Sequence, residues 1–575
     1  MNIKKVIPIL DWLPNYNKSH LKGDLVAGIT VSIILIPQGI AYALIAGLPP
    51  IYGLYCALVP QVIYAIFGSS RQVAIGPVAM DSLTVATGVS TLALAGSQSY
   101  IEIAILLALL VGAIQFLLGI FSLGFIVNFL SRPVITGFTS AVALTIGLNQ
   151  FRNLLGVDFL QSDLIQVVAV DIVKRIGDIN LQTASIGLVS VLVIIILKRI
   201  NKKIPNALIV VVFGIILLKY FGVHFDRVAI VKDIPSGLPG FSMPTYDLDQ
   251  IRELMPIALT LVMVGYLETI SIGKSLEAQQ DEYRIRPNQE LIALGLSNMV
   301  GSLFKSYPIA SSFSRSAINQ ETGGKTGVSA FVSVIMVALT LLYLTPLFYY
   351  LPKTVLAAII IVAVFGLINF KEAKYLWKAN NLDFWLLIAT FASTLVLGIE
   401  YGIFVGVALS LIILLFRTTR PYVTELGKVP DSDFFRNKNR FEEVIIEKDI
   451  LVFRFDAQLF YANAGYFRDK LDEMVDAKGD QLKIIVFDAE SMNRVDSTAV
   501  EMLKERIRFY QEKAITFYFA AVKGPVRDSL FKSGILEIID INHFFMRPND
   551  AVVYYKTGNR DSQIKYAQYI HQAYE

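Results

Sequence analysis

The chain has 575 residues, of which 54% are hydrophobic and only 17% charged, with 51 Lys+Arg, 47 Asp+Glu and a formal net charge of +4. A soluble chain is about a quarter charged, so this composition excludes a simple water-soluble enzyme, a disordered chain and a secreted disulfide scaffold. The single cysteine, Cys56, permits no intrachain disulfide, the four histidines are scattered, and so small a net charge gives no nucleic-acid footprint.

The charge is unevenly distributed. Residues 422–575 hold 47 charged side chains in 154 positions, about 31%, a normal soluble fraction. Residues 1–421 hold 51 in 421 positions, about 12%. One chain thus joins a long membrane part to a compact soluble part.

Met1–Lys22 has no apolar core before Asp24 and no small-residue cleavage site, so it reads as a cytosolic N-terminal segment rather than a signal peptide. Twelve apolar stretches of about membrane-crossing length follow, near 24–45, 50–67, 101–121, 133–150, 181–198, 205–221, 254–272, 288–304, 327–345, 353–369, 382–398 and 402–418. Two shorter ones, near 78–93 and 312–321, each follow an extended segment containing proline, Gln72–Pro77 and Lys305–Ala310. They raise the total to fourteen. Each short stretch is third in a set of seven, the sets running about 23–221 and 254–419. Interrupted segments at matching places in two halves point to an inverted-repeat transporter with its site between two half-helices.

Basic residues set the orientation. Lys4, Lys5, Lys18 and Lys22, then Lys198, Arg199, Lys202 and Lys203, then the turn with Lys371, Lys374 and Lys378, and finally Arg417 and Arg420 all fall on one side. That side is expected to be cytoplasmic, with both termini there and the protein in the cell (inner) membrane. The loop 222–253 on the other side leans acidic. The stretch 422–449, with Pro430 and many charges, reads as an exposed, partly extended linker. Beyond it, Ile450–Phe455, Leu482–Phe487 and Ile515–Ala521 read as strands. Ala464–Asp476, Ser497–Glu512 and Val526–Ser533 read as helices, giving an α/β domain over 450–560 and a tail, 561–575.

The chemistry lies at membrane depth. Gln38 and Tyr42, four residues apart after Pro37, share a helix face and offer an amide and a phenol. Gln38 can equally bond a neighbouring helix. The second short stretch opens Ser311-Ser312-Phe313-Ser314-Arg315-Ser316. Serines at a helix start leave hydroxyls and free N–H groups at the positive end of the dipole, which suits an anion. Arg315 adds a full charge that is costly at this depth. The first short stretch opens Gly76-Pro77-Val78-Ala79-Met80, so two helix starts would face each other across a pocket for a small anion.

Three carboxylates sit in apolar surroundings: Asp81, Glu268 and Glu400. A carboxyl in such surroundings holds its proton more tightly, which makes Glu268 a candidate proton carrier. The residues alone leave open that it pairs with Arg315 or holds a coupling cation. Asp81 beside an anion pocket has no explanation in sequence, and Glu400 reads as interfacial. Asn319–Thr326 and Glu268–Ser275 imitate phosphate loops, but each lacks the first glycine and the strand–loop–helix setting. There is no nucleophile elbow and no metal-ligand cluster in the sequence. No enzyme activity, cofactor, resident metal or nucleic-acid partner is therefore expected.

The run Pro37-Gln38-Gly39-Ile40-Ala41-Tyr42-Ala43-Leu44 through Leu48-Pro49-Pro50-Ile51-Tyr52-Gly53 resembles the sulfate permease (SulP) anion transporters, whose relatives include prestin-type and bicarbonate transporters. So do Ser311–Ser316 with Gly323-Gly324-Lys325-Thr326, and Phe348-Tyr349-Tyr350-Leu351-Pro352-Lys353. Leu459–Ala464 and Val495-Asp496-Ser497-Thr498-Ala499 resemble the STAS domain that ends such proteins, although Ala499 stands where many have glycine. The resemblance implies an α-helical polytopic membrane protein of fourteen segments in two inverted seven-segment repeats, split into core and gate domains, plus a cytosolic α/β STAS domain. It implies a homodimer with an elevator-like movement.

By the same resemblance Gln38, Tyr42, Ser312, Ser314 and Arg315 line an anion site flanked by Val78 and Phe313, and Glu268 takes the acidic coupling position. Bicarbonate–sodium members carry Asp there, so Glu268 favours a proton. The residues and the resemblance together predict proton-coupled sulfate uptake. The alternatives are sodium-coupled bicarbonate transport, proton-coupled dicarboxylate transport, and an exchanger or channel regulated through STAS. Expected partners are a small inorganic anion, a proton or sodium, membrane lipid, a second copy of the chain, and a cytosolic ligand of the STAS domain. In that domain Asp496 and Ser497 read as helix caps, with Ser497 also standing at the position phosphorylated in related soluble STAS proteins.

Overall fold

The computed structural model describes residues 6–125, 131–159, 162, 164–200, 205–221, 227–244, 247–277, 283–366 and 368–558. They divide into two compact units, one up to Ser410 and one from Leu411.

The first unit is helical. Among the described residues, nine helices are long and apolar enough to cross a membrane. The first half runs α1 (Lys18–Ile45), α2 (Pro50–Tyr55), α3 (Val59–Phe67), β1 (Ile75–Gly76), α4 (Ala79–Val89), α5 (Gln98–Ile120), α6 (Arg132–Asn149), α7 (Ile165–Lys174), α8 (Leu181–Ile200) and α9 (Asn206–Phe221). The second runs α10 (Leu248–Glu277), α11 (Pro287–Ser302), β2 (Ala310–Ser311), α12 (Phe313–Glu321), α13 (Val328–Leu339), α14 (Lys353–Phe365), α15 (Phe370–Ala379), α16 (Asn381–Leu397) and α17 (Ile399–Thr419). All fourteen expected segments are helical. Three of the longer twelve, α9, α11 and α16, with 16, 16 and 17 residues, lie outside those nine. The third segment of each half is a two-residue strand leading into a short helix.

Local chemistry accounts for several boundaries. The Asn17 side chain accepts from the N–H groups of Ser19 and His20 and starts α1 six residues before Asp24. Pro37 sits inside α1, where it removes one helix hydrogen bond and leaves a carbonyl free. Gly39 of α1 and Gly53 of α2 touch backbone to backbone, an approach any side chain would block.

Two helices of the first unit escaped the sequence. Helices α7 and α15, ten residues each, follow the fifth segment of each half. Lys371, Lys374 and Lys378, read as a turn, are on the polar face of α15, which buries only Leu376. The Glu400 side chain and residues 559–575 lie outside the described residues, as do Lys4, Lys5, Lys202 and Lys203.

The second unit is a mixed sheet of β3 (Val423–Lys428), β4 (Phe435–Asn437), β5 (Ile450–Phe455), β6 (Ile484–Asp488), β7 (Thr516–Ala520) and β8 (Phe544–Phe545), in spatial order β4-β3-β5-β6-β7-β8. Strands β5 to β8 are parallel, and β3 is antiparallel to both β4 and β5. The stretch read as a linker therefore supplies two strands, β4 at the edge of the sheet and β3 between it and β5. Alternation within each strand builds two cores. Leu451, Phe453, Phe455, Ile485 and Phe487 face α18 (Ala464–Lys478), α19 (Ser497–Glu512) and α20 (Gly524–Lys532). Ile450, Val452, Ile484 and Val486 face α21 (Pro548–Thr557). Helix α19 buries Ala499, Val500, Leu503, Ile507 and Tyr510 at helical spacing. Its cap is Asp496, which accepts from the N–H of Ala499, while Ser497 is its first residue.

Candidate functional site

Strands β1 and β2 pair antiparallel, Ile75 with Ser311 and Gly76 with Ala310. The Ser312 N–H donates to the Ala74 carbonyl (3.0 Å) and the Ala74 N–H donates to Ser316 Oγ (2.8 Å). This splice holds the starts of α4 and α12 side by side. Val78 caps α4 backbone-only, with no side-chain acceptor, while Ser312 caps α12 by accepting from the Arg315 N–H. Two helix starts at one place concentrate positive dipole ends.

Arg315, the third residue of α12, is fully buried. Its Nη1 donates to the Pro77 carbonyl (3.0 Å) and to Gln38 Oε1 (3.4 Å), whereas Nε and Nη2 have no partner among the described residues. A buried guanidinium with free donors is costly unless something accepts from them. Gly76, at φ +144°, leaves the room this needs, because a Cβ there would stand 3.4 Å from Nη2. Tyr42, buried on the same face of α1 as Gln38, interacts electrostatically with Arg315.

The remaining expected residues distribute as follows. Ser312 and Ser314 hydroxyls lie 3.4 Å apart. Phe313 is 60% exposed and Ser314 is also exposed, in contrast to the fully buried Arg315 that follows them. Val78 is half-buried beside Pro77. Glu268 of α10 interacts electrostatically with Arg315 and Asp81, yet among the described residues no ion pair joins it to Arg315 and its buried Oε2 has no hydrogen-bond partner. The fixed Glu268–Arg315 pair left open by the sequence is not formed among the described residues.

Several supporting residues gave no sequence signal. Thr269 and Ser311 hydroxyls meet at 2.6 Å, tying α10 to β2. Asn298 accepts from the Ile309 N–H (2.9 Å) and donates to Gln115 Oε1 (3.1 Å). Asp24, fully buried, accepts from the N–H of Lys325 (2.7 Å), the N–H of Thr326 (3.0 Å) and the Thr326 hydroxyl (2.6 Å). The phosphate-loop imitation at 319–326 thus spends its N–H groups on a carboxylate of the protein itself. Glu290 accepts from Tyr64 Oη (2.6 Å), the Ser69 N–H (2.7 Å) and hydroxyl (2.6 Å), and the Ser70 N–H (3.1 Å).

Comparison with known proteins places this arrangement. The model of the Sulfate permease family matches residues 21–390, and that of the STAS domain matches residues 443–551. "Sulfate transporter 4.1, chloroplastic" of Arabidopsis thaliana is 37% identical over 568 residues, covering 96% of this chain and 82% of its own. "High affinity sulfate transporter 2" of Stylosanthes hamata is 32% identical, covering 96% and 87%. The structure of the murine Solute Carrier 26 family member A9 anion transporter in the inward-facing state superposes with a TM-score of 0.89 at 26% identity, covering 97% and 95%. The transmembrane domain of a cyanobacterium bicarbonate transporter, BicA, shares the fold with a TM-score of 0.60 at 20% identity, covering 69% of this chain and 98% of that one. The chain belongs to the sulfate permease family and is a polytopic helical membrane protein ending in a STAS domain.

Proposed function

We propose that this protein is a secondary active transporter that takes up sulfate together with protons. The observation that carries the reading is Arg315, fully buried between two helix starts with Nε and Nη2 unpartnered among the described residues. An oxyanion placed there would accept from those nitrogens and from the free N–H groups of α4 and α12. Gln38, Tyr42, Ser312 and Ser314 would complete the lining, and Val78 and Phe313 would flank it. Glu268, half-buried with Oε2 fully enclosed and without an ion-pair partner among the described residues, is the group to carry the proton. The names of the plant relatives support sulfate as the anion.

In the same reading the transport domain spans 23–421 and the STAS domain 450–560, both termini are cytoplasmic, and the protein works in the cell membrane as a homodimer whose core slides against its gate. The STAS domain would serve dimer contact or a cytosolic partner.

The test is uptake of labelled sulfate by proteoliposomes under an inward proton gradient without sodium. Accumulation above equilibrium supports the reading. Glu268→Gln is expected to bind sulfate yet lose the response to the gradient. Uptake that requires sodium, or internal chloride, would instead assign a sodium-coupled or exchange cycle.

A further inference from the structure

We propose that Asp81 and Glu268 form one acidic pair that shares the coupling proton, with Asp81 acting as the positioning residue that makes Glu268 retain it. This rests on the proton-coupled reading above and adds a residue to it.

Asp81 is the third residue of α4, where a carboxylate ordinarily satisfies free N–H groups of its own helix. It does not do so here. It is 2% exposed, and Oδ1 has no hydrogen-bond partner among the described residues. Its other oxygen points across to α10: a Cβ added at Gly265 would stand 3.8 Å from Asp81 Oδ2 and 3.9 Å from Gln115 Nε2. Glu268 is three residues beyond Gly265, on the same face of α10. The two carboxylates interact electrostatically, and each keeps one buried oxygen without a partner.

The other titratable or charged groups around Asp81 are few. Tyr307, whose hydroxyl lies 3.0 Å from Ser82 Oγ, interacts with both Asp81 and Arg315. Arg315 of α12 interacts with Glu268, and Tyr42 of α1 with Arg315. Helix α5 presents the neutral Gln115, and the charged residue of α6 is its first, Arg132.

Two carboxylates that interact across a largely enclosed site do not both ionise cheaply. One proton on the pair leaves a single negative charge, which Arg315 balances. The step is simple: a proton from water on the acidic side bonds to one carboxylate oxygen of the pair and later leaves from it to water on the other side, with no other bond made or broken. Once it has left, two facing charges remain, and their repulsion drives reloading. Neutralising Asp81 removes that repulsion.

The experiment is sulfate uptake against external pH in proteoliposomes. Asp81→Asn is expected to move the half-maximal pH toward acid by about one unit or more, with the KM for sulfate at acid pH changed less than about threefold. A profile that coincides with the unaltered protein, or uptake lowered equally at every pH, overturns the pair. Glu268→Gln tests the parent reading separately. If Glu268→Gln is pH-independent while Asp81→Asn is unshifted, proton coupling stands and the pair falls. Should Asp81→Asn not fold, infrared difference spectra of the unaltered protein decide. Carboxyl-13C labelling of aspartate is expected to shift part of the protonated-carboxyl band that changes with sulfate, and a band indifferent to that label overturns the proposal.

Discussion

The guanidinium of Arg315 donates a 3.0 Å hydrogen bond to the carbonyl oxygen of Pro77, joining the short helix of the second half to the start of the short helix of the first. The bond fixes the charge at the junction while leaving two of its nitrogens without partners. Arg315→Ala should therefore weaken sulfate binding at least about thirtyfold, the effect of losing about 2 kcal/mol of charged hydrogen bonding. Arg315→Lys keeps a charge but not the planar fork and should recover only part of the loss. Titration calorimetry on the purified protein reads both; unchanged affinity in Arg315→Ala would remove the site.

Ser316 tests the splice. Its hydroxyl is the acceptor for the buried Ala74 N–H at 2.8 Å. Ser316→Ala leaves that donor unsatisfied and should cost about 1–3 kcal/mol. Because β1 and β2 align both helix starts, sulfate affinity should fall with it. Thermal unfolding in detergent and sulfate binding, measured side by side, check the two effects.

Asp24 tests the loop that follows α12. Its carboxylate takes three donors from Lys325 and Thr326. Asp24→Ala orphans all three and should destabilise the protein by about 3 kcal/mol or more. Asp24→Asn retains one acceptor oxygen and should be milder. A melting temperature unaltered by Asp24→Ala would contradict the role.

Asp488 predicts a pH response in the soluble domain. Burial, with the nearby charge of Glu490, pushes its carboxyl up to about 6 from the ordinary 3.8. A raised carboxyl favours the protonated folded state, so stability is greatest below the ordinary value and falls as pH rises through about 6, by up to about 3 kcal/mol. Asp488→Asn, which keeps an acceptor for the Glu490 N–H, should remove that fall: more protected β6 amides at about pH 8, little change at about pH 4. Hydrogen exchange on the full-length protein measures it.

Much of the fold was legible because membrane helices announce themselves by length and apolar content. The third segment of each half was visible as an interruption, since Pro77 and the serines before Arg315 break the run. The β1–β2 register was not, because a two-residue strand has no period. Helices α7 and α15 were too short and too polar to read as segments. Strand β3 was hidden by Glu425, a buried carboxylate held by Lys478 at 2.8 Å and by Lys438, both distant in sequence. Arg315 and Gln38 were legible as polar residues at membrane depth. Asp24 and Glu290 were not, because their partners lie more than 200 residues away.

The most direct measurement is an anomalous-scattering or electron-density map of the protein with selenate standing in for sulfate. The account predicts one anion at the starts of α4 and α12, within hydrogen-bond distance of Arg315. An anion bound elsewhere, with those helix starts and Arg315 untouched, would contradict it.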